Sequence, residues 1–312
     1  MDEPHRVRIA YLGPAGTFTE EALIEFMGTR PYDGIPRPTI EDVLTDVVIG
    51  SSDYGFVPIE NSIEGTVTPT LDAMIFRFRL QIYAEYILPV RQQLIAAKGA
   101  RLEDIHAVYS YAHALAQVGR FLRDRLPRAE LHHTDSTAEA VRLVADAKSD
   151  AIAAIGPKRA AELYGLDVLI ADIDDHAANS TRFLLLNNDT IPRPTGDDKT
   201  SIVCFQVEDR PGSLLSILAE IASRGINLTK LESRPTKTGI GIYCFAIDFG
   251  GHIAERHVQE VITDLNRYLG HVKFLGSYPA FVNQKHHSEA NSTIDPLVGE
   301  LLGQIESSRP TQ

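Results

Sequence analysis

Apolar residues in this chain fall in short runs separated by stretches with helical spacing. Val7 to Leu12 is one such run, bounded by Gly13-Pro14-Ala15-Gly16, the pattern of a buried strand entering a glycine-rich turn. Thr17 or Thr19 can cap the helix that follows. Glu20 and Glu21 lie in its first turn, and Ala22, Leu23 and Phe26 give its apolar face. Val43, Leu44, Val47 and Val48 space a helix over 40–49, and 54–59 reads as a strand. A helix over 69–78 and strands over 81–88 and 93–97 come next. Strands over 107–109, 131–134, 150–155, 168–173 and 181–186 then alternate with helices over 112–126, 138–147 and 157–164. The last helix has Pro157 at its start and Gly165 as its stop. This alternation predicts an α/β layered fold.

The pattern changes after a polar, proline-containing stretch over 187–198, which has linker composition. Beyond it come a strand over 201–207, a helix over 214–224, strands over 226–233 and 240–249, a helix over 254–268 and a strand over 271–281. Leu215, Leu218 and Ile221 share one face of the first helix, and Gly225 ends it. The order βαββαβ is ferredoxin-like. Four segments result: a domain over 1–190, a linker over 191–199, a second domain over 200–281, and a polar tail over 282–312 with one short helix near 297–305.

Composition narrows the function. Of 312 residues, 44% are hydrophobic and 23% charged, as in ordinary soluble globular proteins. Acidic residues outnumber basic ones 42 to 30, a net charge of −12. Nucleic acid is therefore not the expected partner, since phosphate binding needs a concentrated basic surface. A few donors focused in a cleft still suffice for a small anion. The charged N-terminus has no apolar core behind it, and no apolar run approaches the ~20 residues of a spanning helix. No membrane partner is expected, and the location predicted is cytoplasmic. Cys204 and Cys244 lie in apolar strands and read as buried, reduced residues. His132-His133 and His286-His287 are adjacent pairs without metal-ligand spacing, so neither metal nor other cofactor is expected.

Polar turns beside strand ends are the candidate chemistry. They are Gly13 to Gly16, Glu60 to Thr66, Ser110, Ser136-Thr137, and Asn179-Ser180-Thr181-Arg182. Gly13 and Gly16 open a helix, which suits an anion, but the spacing is not that of a dinucleotide fingerprint. Strands so far apart in sequence share a site only if two lobes, joined by crossing strands, flank a cleft.

Gly13-Pro14-Ala15-Gly16-Thr17-Phe18, Pro58-Ile59-Glu60-Asn61-Ser62-Ile63-Glu64-Gly65 and Thr181-Arg182-Phe183 resemble prephenate dehydratase in order and spacing. Asp209-Arg210-Pro211-Gly212-Ser213-Leu214, Gly225-Ile226-Asn227-Leu228 and Glu232-Ser233-Arg234-Pro235 resemble the regulatory ACT domain of the same enzymes. The resemblance covers roughly residues 6 to 281 and implies a two-lobed catalytic domain like type II periplasmic binding proteins, followed by the ACT domain. It implies conversion of prephenate to phenylpyruvate in L-phenylalanine biosynthesis, with L-phenylalanine as inhibitor and at least a homodimer, or a homotetramer, through ACT pairing. Some relatives carry an N-terminal chorismate mutase domain; with the first catalytic strand starting at Val7, none is expected here.

The resemblance makes Thr181 the catalytic residue, donating to the leaving ring hydroxyl. Asn61, Ser62, Ser110 and Gln117 match the family's substrate contacts. Ser136 and Thr137 open a helix able to hold a carboxylate, and Phe183 returns to the face of Thr181 to pack on the ring. Glu60 and Glu64 could each supply a proton if desolvated, and bracing the turn fits Glu60 at least as well. Arg182 suits a carboxylate, but alternation points it away from the cleft. In the second domain Pro211, Gly212, Ser213, Leu214, Leu215, Asn227, Glu232, Ser233, Arg234 and Pro235 are expected to bind phenylalanine, the last four near the domain junction. Two departures stand out. The chain has Ser110-Tyr111-Ala112-His113 where relatives often read Ser-His-Pro, so His113 is not assigned catalysis. It also has Val118 where many have Cys. Arogenate dehydratase and a non-catalytic aromatic-acid sensor are the alternatives.

Overall fold

The computed structural model describes residues 6–281 apart from 177, 207–209, 238, 240 and 241. The expected tail helix and His286-His287 lie outside the described residues. Elements β1 (Val7–Leu12), α1 (Phe18–Met27), β2 (Tyr32–Arg37), α2 (Ile40–Val48), β3 (Tyr54–Asn61), β4 (Gly65–Thr66), α3 (Thr68–Phe76) and β5 (Gln81–Pro89) build most of the first lobe. The chain then crosses into a second lobe. It contains β6 (Gln93–Ala96), β7 (Ala107–Ser110), α4 (Ala112–Gln117), α5 (Gly119–Arg125), β8 (Glu130–His133), α6 (Thr137–Ala147), β9 (Ile152–Gly156), α7 (Lys158–Tyr164) and β10 (Asp167–Ile170). Strand β11 (Ser180–Asn187) crosses back to the first lobe. The last layer is β12 (Asp198–Phe205), α8 (Ser213–Ala222), β13 (Leu228–Pro235), β14 (Tyr243–Gly250), α9 (Arg256–Leu269) and β15 (Val272–Pro279).

Among the described residues three sheets result. The first runs β2-β1-β3-β11-β5 with β4 on β3, the second β10-β6-β9-β7-β8, and the third β13-β14-β12-β15. This is the expected two-lobed α/β unit followed by a ferredoxin-like βαββαβ layer. Caps follow the sequence: Thr17 accepts from Glu20 N at the start of α1, and Ser136 accepts from Glu139 N at the start of α6.

Two elements differ from expectation. Strand β2 is not evident in the sequence, because Asp33, Gly34 and Pro36 are poor strand formers; it forms at the sheet edge, paired parallel to β1 alone. The helix expected over 112–126 is broken at Val118 into α4 and α5. The carboxylate of Asp175, on the returning crossing, accepts from Arg120 N (2.8 Å) and Phe121 N (3.4 Å), starting a new helix there.

Apolar packing ties the third sheet to the first lobe. Val43, Leu44, Leu71, Leu184 and Leu186 form one cluster with Val203, Ala246, Leu275 and Tyr278. Helices α8 and α9 cover the opposite face of that sheet with Ile217, Ile221, Val258 and Leu265. Where β15 crosses β5, a Cβ at Gly276 would stand 2.6 Å from Ile82 O, so only glycine allows this approach. Lys273 donates to the carbonyls of Met74 (2.5 Å), Ile75 (3.0 Å) and Phe78 (2.8 Å), closing the C-terminal end of α3. Cys204 and Cys244 are buried free thiols on opposite faces of the third sheet. Burial pushes the thiol pKa of Cys204 up to about 12 and that of Cys244 up to about 11. No helix among the described residues is long and apolar enough to cross a membrane.

Candidate active site

Strands β3 and β11 run antiparallel with Thr181 opposite Asn61 and Arg182 opposite Glu60, so their ends meet at the crossing between lobes. Beyond β3 the chain turns sharply. The Asn61 side chain holds that turn: its Oδ1 accepts from the N–H groups of Ile63 (2.9 Å) and Glu64 (3.0 Å). Its Nδ2 is left to donate, to Asn179 Oδ1 at 2.8 Å, to Thr181 Oγ1 at 2.9 Å and, more weakly, to Ser180 O at 3.3 Å. Ser62 stitches the two strand ends together. Its hydroxyl donates to Ala178 O (3.1 Å) and accepts from Ser180 N (2.9 Å).

Residues of the second lobe join this group through Asn179, which is 1% exposed. Its Nδ2 donates to Gln117 Oε1 at 3.2 Å, and the same oxygen accepts from Gln92 Nε2 at 3.4 Å. The carboxylate of Asp174 accepts from Gln92 N at 2.8 Å and fixes that crossing strand. Burial raises the Asp174 carboxyl above the ordinary carboxylate range. Glu64 also spans the lobes, pairing with His113 at 3.1 Å.

Asn61, Ser62, Gln117 and Thr181 are thus brought together, with Glu64 beside them. Ser110 and Phe183 are not presented, which corrects the expectation for both. Ser110 has no exposed surface, and its hydroxyl donates to Ile155 O at 2.7 Å, bracing β7 against β9. Phe183 does return to the face of Thr181, but two residues deeper, where α1 and Phe56 cover that face. Its ring stacks on Phe56 at 5.3 Å and is 1% exposed. Ser136 caps α6 and lines a cavity of about 620 Å³ with Gly13, Pro14, Arg37 and Tyr164, between the lobes. Among the described residues, no hydrogen bond links that cavity's serine to the Thr181 group. Thr137 packs against Gly156 of β9.

Arg182 points the other way, as alternation requires. It is 9% exposed and binds Glu85 (2.6 Å), Asp248 (2.7 Å) and the Tyr278 hydroxyl (2.8 Å), the last two from the third sheet. Lys199 adds a bond to Glu85 at 2.7 Å, and Ser201 one to Asp248 at 2.6 Å. Burial alone would raise the Asp248 carboxyl; the Arg182 guanidinium and Ser201 outweigh it and hold it below the usual range. Glu60, next to Asn61, pairs with Lys230 of β13 at 2.9 Å.

The sequence profile of the family described as prephenate dehydratase matches residues 9–191, and that of the ACT domain residues 200–267. A prephenate dehydratase of Mycobacterium tuberculosis is 39% identical over 319 residues, covering 98% of this chain and 96% of the relative. The chain belongs to the prephenate dehydratase family. The crystal structure of the Arthrobacter aurescens dehydratase in complex with L-Phe is 38% identical, with a TM-score of 0.82 over 96% of this chain and 99% of that one. The solved structure of GqqA, described as a novel type of quorum-quenching acylase, is 26% identical with a TM-score of 0.80, covering 88% and 98% of the two chains. The activity of this chain is that of a prephenate dehydratase, with an ACT domain at its C-terminal side.

In the dehydratase's ACT layer, Gly212 takes a left-handed conformation (φ 87°) at the start of α8, and among the described residues no side chain caps that helix. Ser213 donates to Arg210 O at 2.8 Å, while Leu215 and Asn227 are exposed. Glu232 and Arg234 face the first lobe: Glu232 accepts from Thr66 at 3.1 Å, and Arg234 pairs with Asp72 at 2.9 Å. Ser233 and Pro235, alternate residues of the same edge strand, are exposed. Sequence reasoning did not single out Asn179, Gln92, Asp174 or Asp175 by role. Their polar character beside strand ends was the available signal; their partners lie far away along the chain.

Proposed function

We propose that prephenate is bound and dehydrated where β3 and β11 end, with Thr181 assisting the departure of the ring hydroxyl. The reaction breaks the bond from the ring to one carboxylate, which leaves as carbon dioxide. The released electron pair aromatises the ring as the carbon–oxygen bond at the opposite position breaks, and the departing hydroxyl takes a proton and leaves as water. Aromatisation drives the step, so the protein's task is positioning and hydrogen bonding to the leaving oxygen. The observation that carries this reading is the bond from Asn61 Nδ2 to Thr181 Oγ1 at 2.9 Å. Thr181 accepts there, which leaves its own proton for the leaving group. Asn61, Ser62 and Gln117 shape the pocket. Ser136 and Thr137, at the start of α6, are the proposed carboxylate end of the cleft, and Glu64 is the candidate proton source.

Regulation completes the proposal. Residues 1–190 form the catalytic part and 200–281 the regulatory part, joined through 191–199. L-Phenylalanine binds at Pro211 to Leu215 and Asn227, where the positive N-terminal end of α8 suits an amino acid carboxylate. The exposed edge strand β13 and exposed Leu215 support pairing of ACT domains into a homodimer or homotetramer. Two cysteines kept as thiols fit the cytoplasmic setting proposed.

The test is phenylpyruvate formation from purified prephenate, with arogenate as the competing substrate and with L-phenylalanine titrated in. Turnover abolished by Thr181→Ala and lowered by phenylalanine is the expected result. Full turnover in Thr181→Ala removes the role given to Thr181, and unchanged turnover at saturating phenylalanine removes the regulatory site.

A further inference from the structure

The side-chain amides at the crossing form a chain whose direction is set at one end. Backbone N–H groups can only donate, and two of them, from Ile63 and Glu64, converge on Asn61 Oδ1. Asn61 therefore faces its other partners as a donor. Asn179 must answer with its oxygen, at 2.8 Å, and so turns its own nitrogen to Gln117, at 3.2 Å. Gln117 must in turn present its oxygen inward. Its nitrogen, with two N–H donors, makes no hydrogen bond to the described residues, and Gln117 itself is half-buried. Thr181, at the other branch, accepts from Asn61 and keeps its hydroxyl proton for a further acceptor. Gln92 also donates to Gln117 Oε1, at 3.4 Å, and its own oxygen is buried without a hydrogen bond. The two ends open to the cleft, at Thr181 and Gln117, are therefore donors.

We propose that Asn179 is a positioning residue that sets this polarity, so that Thr181 and Gln117 both offer hydrogen to an acceptor-rich anionic substrate. Asn179 does not touch the substrate. It acts through Gln117 on the second lobe and Asn61 on the first, and among the described residues neither of its side-chain polar atoms has another partner. The inference rests on the site proposed for prephenate.

The distinguishing variant is Asn179→Asp. An ionised carboxylate at this position has two acceptors and no donor, so Gln117 must turn its nitrogen inward and its oxygen to the cleft, and Gln92, whose oxygen has no hydrogen bond, turns with it. Once protonated, the same carboxyl can accept from Asn61 and donate to Gln117 Oε1, which restores the original direction. Wild-type turnover of prephenate is measured first and stands or falls by itself. In Asn179→Asp, KM for prephenate is then expected to rise at least about tenfold at neutral pH, with a smaller change in kcat. As pH falls, kcat/KM relative to wild type should recover. Asn179→Leu, which lacks any polarity, should lose activity without that acid recovery. Gln117→Glu keeps an acceptor toward Asn179 but replaces the outward donor, and should also raise KM at least about tenfold. Thermal unfolding of each variant accompanies the kinetics, and if Asn179→Asp does not fold, Gln117→Glu carries the test alone. An unchanged KM in Gln117→Glu overturns the proposal. So does a relative pH profile for Asn179→Asp that matches Asn179→Leu.

Discussion

The two sides of β11 are built from different chemistry. On one side Thr181 belongs to a network of neutral amides and hydroxyls, half open to the cleft. On the other, one residue later, Arg182 sits in a buried cluster of full charges shared with the ACT layer. A neutral network can be redirected by turning an amide, at little electrostatic cost, and so suits a site that must receive a changing ligand. A buried guanidinium between carboxylates tolerates no vacancy, and so suits a joint. The pair teaches that adjacent residues of one short motif can serve opposite ends of the enzyme, Thr181 the site proposed for the chemistry and Arg182 the attachment of the ACT layer.

The comparison breaks most visibly at Arg182. Arg182→Met leaves Glu85 and Asp248 buried without their shared guanidinium and should cost about 3–5 kcal/mol in chemical unfolding. Its catalytic constants, measured well below the melting temperature, should fall less than those of a Thr181 variant. Next comes Thr181→Val, which keeps the shape and removes the hydroxyl. A fall in kcat of about 100-fold or more is expected, with stability changed by less than about 1 kcal/mol. Should Arg182→Met prove stable yet inactive, the division of labour between the two faces is wrong.

Phe183 sharpens the comparison from within the motif. Phe183→Leu should lower stability by about 1–3 kcal/mol and leave KM for prephenate unchanged, because the ring packs on Phe56. A raised KM at constant stability would return Phe183 to the site.

The smallest effect lies between the lobes. Glu21 of α1 faces Lys158, Arg159 and Glu162 of α7 across a cavity of about 240 Å³, with Glu25 on its own helix. One of its carboxylate oxygens is buried without a hydrogen bond. Burial first, and Glu25 second, push its pKa up to about 7 from 4.5. The folded protein therefore holds this proton more tightly than the unfolded chain. Its stabilising contribution is present below pH 4.5 and is lost as pH rises to about 7. Glu21→Gln should melt at a higher temperature than wild type at pH 8, and the gap should close toward pH 4.5. An equal gap at both pH values would show that the charge is not the cause.

Local patterns made much of this legible. The strand beginning near Thr181 and the period-two alternation of side chains turned Arg182 away from the cleft on sequence grounds alone. The same alternation put Phe183 on the face of Thr181, but not the covering of that face by α1 and Phe56, which depends on residues far away in the chain. Strand β2 was hidden by its Gly and Pro, since only its place at an edge makes them tolerable. The break at Val118 was hidden because Asp175, whose carboxylate starts α5, lies 55 residues from Arg120. Asn179 was visible as one polar residue among several. Its role rests on Gln117, 62 residues away, and Asn61, 118 residues away, and no local pattern brings those together.

Lys273 carries a consequence for how such an enzyme can change over evolutionary time. A lysine of the last strand finishes a helix of the catalytic lobe, and the two regions share a core around Leu184, Leu186, Leu275 and Tyr278. A gene shortened at the linker would not yield an unregulated enzyme in one step. It would yield a lobe with an open helix end and an uncovered apolar face. Escape from feedback should therefore arise by point changes within the regulatory layer, not by its loss.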